Sequence, residues 1–403
     1  MSAASLTPPP TVAYLDHNAT SPLRPAARAA FLEALEAGGN ASSVHADGRA
    51  ARARLERARG QVAGLLDVDP RGVTFTSGAT EAASAILHPD LEIAGRPVTC
   101  DVLLVSAVEH PCVLSGHRFP VDKVEVIPVD EAGVIDLKVL ENRLAALAAM
   151  GLRPYLSLMA ANNETGVLQP VAEVAERVHA VGGVVHCDAV QAAGRVETTC
   201  AALQADFVTL SAHKLGGPQG AGALVATHPD SRARVPLMAG GGQERGRRGG
   251  TQNVPAMVGF GAAAADAAAH LSAEAMRLTG LRRRLETGIV ERLQDAWIAG
   301  AGAARLPNTV CAVFPGLKAE TLVIALDLAH VRVSAGSACS SGKVGPSHVL
   351  AAMGAASGLG PEATAGAIRF SLGWSSGEED VDLALAALGR AVPRLSSRPA
   401  RVA

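Results

Sequence analysis

Aromatic side chains are scarce in this sequence. Phenylalanine, tryptophan and tyrosine supply 3% of its 403 residues, so alanine, leucine and valine must fill the core. An excess of either charge is missing too: 36 lysines and arginines face 38 aspartates and glutamates, a formal net charge of −2. That balance gives no general attraction for nucleic acid or an acidic membrane. The basic runs Arg245 to Arg248 and Arg282 to Arg284 read as solvated faces. Cys100, Cys112, Cys187, Cys200, Cys311 and Cys339 contain no CxxC pair, which argues against a metal cage of that spacing, and no metal site is expected. Nothing suggests a disulfide framework, so a reducing cytoplasm fits best. The amino terminus lacks the basic and apolar regions of a signal peptide and predicts a disordered tail over residues 1–13. Long uncharged apolar runs are absent as well. Ala256 to Leu271 is rich in alanine but carries Asp266 and His270, and reads as a buried helix rather than a membrane span.

What is present is a globular composition, 48% hydrophobic and 18% charged, in a chain long enough for two domains. It is organised around Ser211-Ala212-His213-Lys214-Leu215-Gly216-Gly217-Pro218. The preceding Asp206 to Leu210 reads as a buried strand, and the glycines that follow let backbone approach a ligand closely. Lys214 therefore stands just past a strand end, where α/β proteins place their ligands. A lysine there can form a Schiff base with a carbonyl compound, pyridoxal phosphate above all. The competing reading is a solvated loop lysine. The Schiff-base reading demands a carboxylate for the pyridine nitrogen, and Asp188, at the end of the strand Val184 to Cys187, is the candidate. A helix-capping aspartate is the alternative.

Taken in order, Asp16, His17 and Asn18 form a polar cluster that is either a ligand site or a capped turn. Helices are predicted over Pro25 to Ala37, about Gly48 to Leu66, Asp136 to Ala149 and Val171 to Val181. Strands are predicted over Val73 to Thr76, Asp101 to Ala107 and Pro154 to Met159. Ser77-Gly78-Ala79-Thr80-Glu81 turns from strand into helix, a ready anion site or a simple helix cap. Thr80, His110, Asn163, Asp188, Ser211, His213 and Lys214 all fall after strands. The alternation predicts an α/β fold with a mainly parallel sheet covered on both faces, the polar groups meeting at one edge. A long helical region, about Val254 to Trp297, contains the domain boundary. Beyond it, strands at Thr309 to Phe314, Arg332 to Ser334 and Ala367 to Ser371 mix with helices in a smaller α+β domain.

Tyr14 to Thr20, Ser77 to Glu81, Glu109-His110, Asn162 to Gly166, His186 to Gln191, Ser211 to Lys214 and Arg369 to Gly373 occur in that order. Together they resemble the cysteine desulfurases of the NifS and IscS type, in the class V aminotransferase group, over about residues 14–388. The resemblance implies the fold type I architecture of pyridoxal phosphate enzymes: a large cofactor domain over residues 14–265 and a small domain over 266–403. Residues 14–24 would pack with the small domain. It implies a homodimer acting on L-cysteine and handing sulfur to an acceptor or iron–sulfur scaffold protein. Lys214 would carry the cofactor, Asp188 would pair with its ring nitrogen and His110 would stack on the ring. Asn163 and Gln191 would address the ring hydroxyl and the substrate side. Ala79, Thr80, Ser211 and His213 would hold the phosphate, and Thr251 would reach the phosphate in the neighbouring subunit. Arg369 would clamp the substrate carboxylate, with Asn18 and Asn163 beside it.

Cys339, in a loop of small residues, would take the sulfur as a persulfide and leave alanine; a free surface thiol is the bland alternative. The stretch Ser337 to Leu350 is similar to the family branch with the longer loop. The sequence departs from the family pattern at Ala82-Ala83-Ser84, where a polar residue and an asparagine are usual, and at Gly249-Gly250, where a serine–glycine pair is usual. A selenocysteine lyase and a non-catalytic cofactor-binding module remain the rivals. The second is disfavoured by Lys214, Asp188 and Cys339 standing together.

Overall fold

The computed structural model describes residues 12–293, 295–336, 347–357 and 360–396. Cys339 and the first eleven residues lie outside them. At the centre is a seven-stranded sheet in the order Val73–Thr76, Gly222–Ala226, Phe207–Ser211, Val184–Asp188, Pro154–Met159, Val102–Ser106, Val124–Ile127. Only Gly222–Ala226 runs against its neighbours; the other pairs are parallel. Pro154–Met159, Val184–Asp188 and Phe207–Ser211 are buried at every position, which requires cover on both faces. Alternate residues divide accordingly. Leu104, Leu156, Val185 and Val208 enter one core, and Leu103, Val105, Tyr155 and Phe207 the other, as the two-residue pleat dictates. The parallel strands deliver their carboxyl ends to one edge.

The helices start where local chemistry allows. Pro25 opens Pro25–Ala37, and Gly38, at φ +59°, ends it. The Asp136 carboxylate accepts from Val139 N at 3.0 Å and caps Leu137–Ala149. Val254–Arg292 is a single helix of 39 residues with Asn253 as its cap. It is long and apolar enough to cross a membrane, yet Val254 to Ala267 supply the large core and Leu278 to Ile289 a second one. The expected boundary at residue 265 thus falls inside one continuous helix.

That second core lies between a four-stranded antiparallel sheet, Trp297–Ile298, Thr309–Val313, Ala367–Ser371 and Ser334–Ala335, and the helices Ala319–Leu328 and Glu378–Ser396. Two expectations change here. The tail does not extend to residue 13: Ala13–Tyr14 is a strand parallel to Val331–Arg332, and Ala13 and Leu15 are fully buried in the second core. The strand expected over Arg332 to Ser334 is two short strands in different sheets, Val331–Arg332 and Ser334–Ala335. The chain changes partner at Val333, a break that β-branched composition cannot reveal.

Candidate functional site

A cavity of about 320 Å³ opens at the carboxyl edge of the large sheet. Ala79, Thr80, His110, Asn163, Asp188, Gln191, Ser211, His213 and Lys214 all line it. They come from successive strand exits, so the fold rather than sequence proximity assembles them. Ala79 and Thr80 begin the helix Ala79–Ile86. The first amides of a helix have no partner within it, and the positive end of the dipole favours an anion there. Gly222 lets the antiparallel strand press against this turn: a Cβ there would stand 2.6 Å from the Cα of Gly78. Glu81, in the first turn, accepts from Ser77 N at 2.8 Å and is neutralised by Arg248 at 2.9 Å. Arg248 thereby ties the polar loop 240–251 to the anion site.

Lys214 closes the opposite connection. Its Nζ donates to the carbonyls of Asn18 and Ala19 at 2.6 and 2.7 Å. Asp188 is buried, accepts from Val190 N at 3.0 Å, and is pushed up to about 6 by burial, against the pull of Val190 N–H and Lys214. A carboxyl so placed has acceptor capacity to spare for a cationic group in the cavity. His110 Nδ1 accepts from Cys112 N at 3.1 Å, which leaves the proton on Nε2. Burial, then Lys214 and His348, lower His110 to about 4. Burial, then Lys214 and Arg195, do the same to His213, whose Nδ1 lies 3.2 Å from Thr20 Oγ1. Both rings are neutral at pH 7.

The remaining expected residues stand apart from the cavity wall. Arg369 is buried behind Asn163, donating to its carbonyl at 3.2 Å and to Asp16 Oδ1 at 2.8 Å. The Asn18 amide is committed to Asn163 O at 3.2 Å and Thr309 Oγ1 at 2.9 Å; its own carbonyl holds Lys214. Thr251 is exposed. Among the described residues no cluster suited to a metal ion occurs.

Several site residues escaped the sequence reading. Glu109 is buried, with Oε1 accepting from Met159 N at 2.5 Å, and burial followed by Asp188 raises it well above the carboxylate range. Glu164 accepts from Ser347 Oγ at 2.6 Å, and burial lifts it to about 7. Arg195 touches Gln191, and Asp16, already named in the polar cluster with His17 and Asn18, holds Arg369. Glu109 and Glu164 stood beside residues already singled out. Nothing local marked Arg195.

The aminotransferase class-V family matches residues 13–384. A cysteine desulfurase of Gluconacetobacter diazotrophicus is 40% identical over 379 residues, covering 92% of this chain and 91% of its own. The cysteine desulfurase IscS of Anaeromyxobacter dehalogenans is 38% identical over 394 residues, covering 95% and 93%. Among solved structures, a NifS-like protein from Rickettsia africae superposes with a TM-score of 0.82 at 32% identity, over 94% of this chain and 98% of that one. The family match spans every strand exit that lines the cavity. The chain belongs to the class-V aminotransferase family and, within it, to the cysteine desulfurases.

Proposed function

We propose that this desulfurase holds pyridoxal 5'-phosphate in the cavity at the sheet edge and passes the sulfur of L-cysteine to Cys339 as a persulfide. A sulfur-acceptor or iron–sulfur scaffold protein would then relieve Cys339, in a homodimer working in the cytoplasm. One observation carries the reading: a primary amine, a buried carboxyl with spare acceptor capacity and the free amides of a helix start line the same cavity. Those are the groups an aldehyde, a pyridinium and a phosphate require.

When bound, the cofactor supplies an electron sink that acidifies the α-proton of an amino acid joined to it. The protein's part is as follows. Ala79 and Thr80 amides, with Ser211 and His213, would hold the phosphate. Asp188, ionised above about pH 6, would keep the ring nitrogen protonated. Neutral His110 would cover the ring. Arg369 would fork onto the α-carboxylate with N–H groups not used by Asp16 and Asn163. Lys214, displaced by substrate, would take the α-proton at Nζ. Cys339, as thiolate, would attack the substrate sulfur; the sulfur's bond to the β-carbon breaks, and alanine leaves.

Two measurements test this. Borohydride reduction of the loaded protein followed by peptide mapping should tag Lys214. Mass spectrometry after one turnover with cysteine should find the extra sulfur on Cys339, and Cys339→Ser should form little persulfide. A tag on another lysine defeats the cofactor site; sulfur on another cysteine defeats the transfer step.

A further inference from the structure

Among the described residues, Arg195 is a buried arginine without a carboxylate partner. Its side chain is 9% exposed as a residue, and no ion pair includes it among the described residues, whereas buried Arg24 meets Asp266 and Glu274 and buried Arg59 meets Glu244. Its partners are neutral. Nη1 donates to the Gln191 carbonyl at 2.7 Å and to Gln191 Oε1 at 2.5 Å. Nη2 donates to the carbonyls of Lys214 at 3.2 Å and His17 at 3.4 Å. Taking a guanidinium from water without an opposing charge is costly. A cost of that kind, borne directly behind a reaction cavity, calls for a local reason.

The reason lies in the Gln191 amide. Arginine is donor-only, so the oxygen of that amide must face it. The Asn18 carbonyl is acceptor-only and takes Nε2 at 3.1 Å. The two neighbours together leave one orientation of the amide. Its oxygen is turned to Arg195, and the second hydrogen on Nε2 remains for the cavity that Gln191 lines. Without Arg195, the Asn18 carbonyl alone would hold Nε2, and the oxygen could swing toward the cavity about that single bond.

We propose that Arg195 is a positioning residue that locks Gln191 as a hydrogen-bond donor to the oxygen substituent of the bound pyridine ring. This rests on the pyridoxal phosphate reading of the cavity and adds to it a selectivity for the ring's deprotonated hydroxyl. The same guanidinium holds the main chain of Lys214, so the amine and the donor are fixed from one point. Its charge reaches the cavity wall: burial first, and then Lys214 and Arg195, lower His213.

The test is binding, not turnover. Apoprotein is titrated with pyridoxal 5'-phosphate and with its 3-deoxy analogue, and the ratio of dissociation constants is read for wild type, Gln191→Ala, Arg195→Met and Arg195→Lys. Wild type should prefer the hydroxylated compound by about tenfold, the size of one hydrogen bond to a charged oxygen. Arg195→Met should bring the ratio down to that of Gln191→Ala. Arg195→Lys, whose ammonium cannot span both Gln191 oxygens, should fall part of the way, and it decides the matter if Arg195→Met does not fold. An unchanged ratio in the arginine variants, or no preference in wild type, overturns the proposal. Borohydride tagging of Lys214 in the same wild-type sample separates the two readings: a missing tag defeats the cofactor site, while a tag without the preference defeats only the role of Arg195.

Discussion

At the scale of the residue, the role proposed for the carboxyl of Asp188 is set against stability. Its proton affinity is raised in the folded chain, so the folded state binds a proton that the unfolded state has lost. Stability therefore declines as pH rises from the ordinary aspartate value to about 6, and the cost is complete above that. Asp188→Asn removes the charge and keeps the acceptor for Val190 N. In urea titrations of the apoprotein at pH 8 the variant should be more stable, by at most about 3 kcal/mol. In the loaded enzyme it should bind cofactor yet turn over about a hundredfold more slowly, because an amide cannot hold a pyridinium proton by charge. A loss of stability at pH 8, or normal turnover with full occupancy, would refute this account. Lys214, Asp188 and His110 were legible as residue types at strand ends. Arg195 was not, since an arginine after a glycine in a loop has no pattern to distinguish a buried cation from a solvated one.

At the scale of the element, the antiparallel strand Gly222–Ala226 matters most for the site. It wedges between Val73–Thr76 and Phe207–Ser211, the two strands whose exits carry the anion turn and Lys214. Gly222→Ala would drive a methyl group into the Gly78 backbone and displace that turn. We expect the dissociation constant for inorganic phosphate or pyridoxal phosphate to rise at least tenfold, with far-ultraviolet dichroism unchanged; wild-type affinity would show that the turn yields without cost. Elements with both a period and punctuation were readable to the residue: Pro25–Ala37 between proline and glycine, Pro154–Met159 between proline and the amides. The strands at Val331–Arg332 and Ser334–Ala335 were not, because two residues carry no period and their partners lie far away in sequence.

At the scale of the whole molecule, buried neutral histidines make stability depend on pH. His186 lies 2.8 Å from Ser157 Oγ and 3.3 Å from Thr209 Oγ1, and burial lowers it to about 3. The unfolded chain takes up a proton there below about pH 6.5 and the folded chain does not, so this contribution is present above that value and is lost as pH falls. His186→Gln is expected to be less stable at pH 7.5. Between pH 7.5 and 5 the gap to wild type should narrow by about 2 kcal/mol, read from urea midpoints; a constant gap would mean that His186 protonates as readily when folded. The parallel α/β class was legible because strand and helix periods alternate. The interleaving of the two ends was expected only through the family resemblance; no local signal marks it, since Ala13 and Val331 meet only in three dimensions.

That interleaving has a consequence for how the chain is made on the ribosome. Asp16 to Ala19 emerge long before Ser371. Yet their main chain is bridged to Ser371, with Asn18 N donating to Ser371 Oγ across 353 positions. The same segment offers Lys214 its two carbonyls. A nascent or prematurely ended chain lacking the Ala367–Ser371 strand has nothing to fasten Asn18 and Ala19 in place, and so no ordered seat for Lys214. Contacts of such separation close late. The seat of Lys214 is thus assembled only on polypeptides translated through Ser371, and chains stopped short of it carry the lysine without that seat.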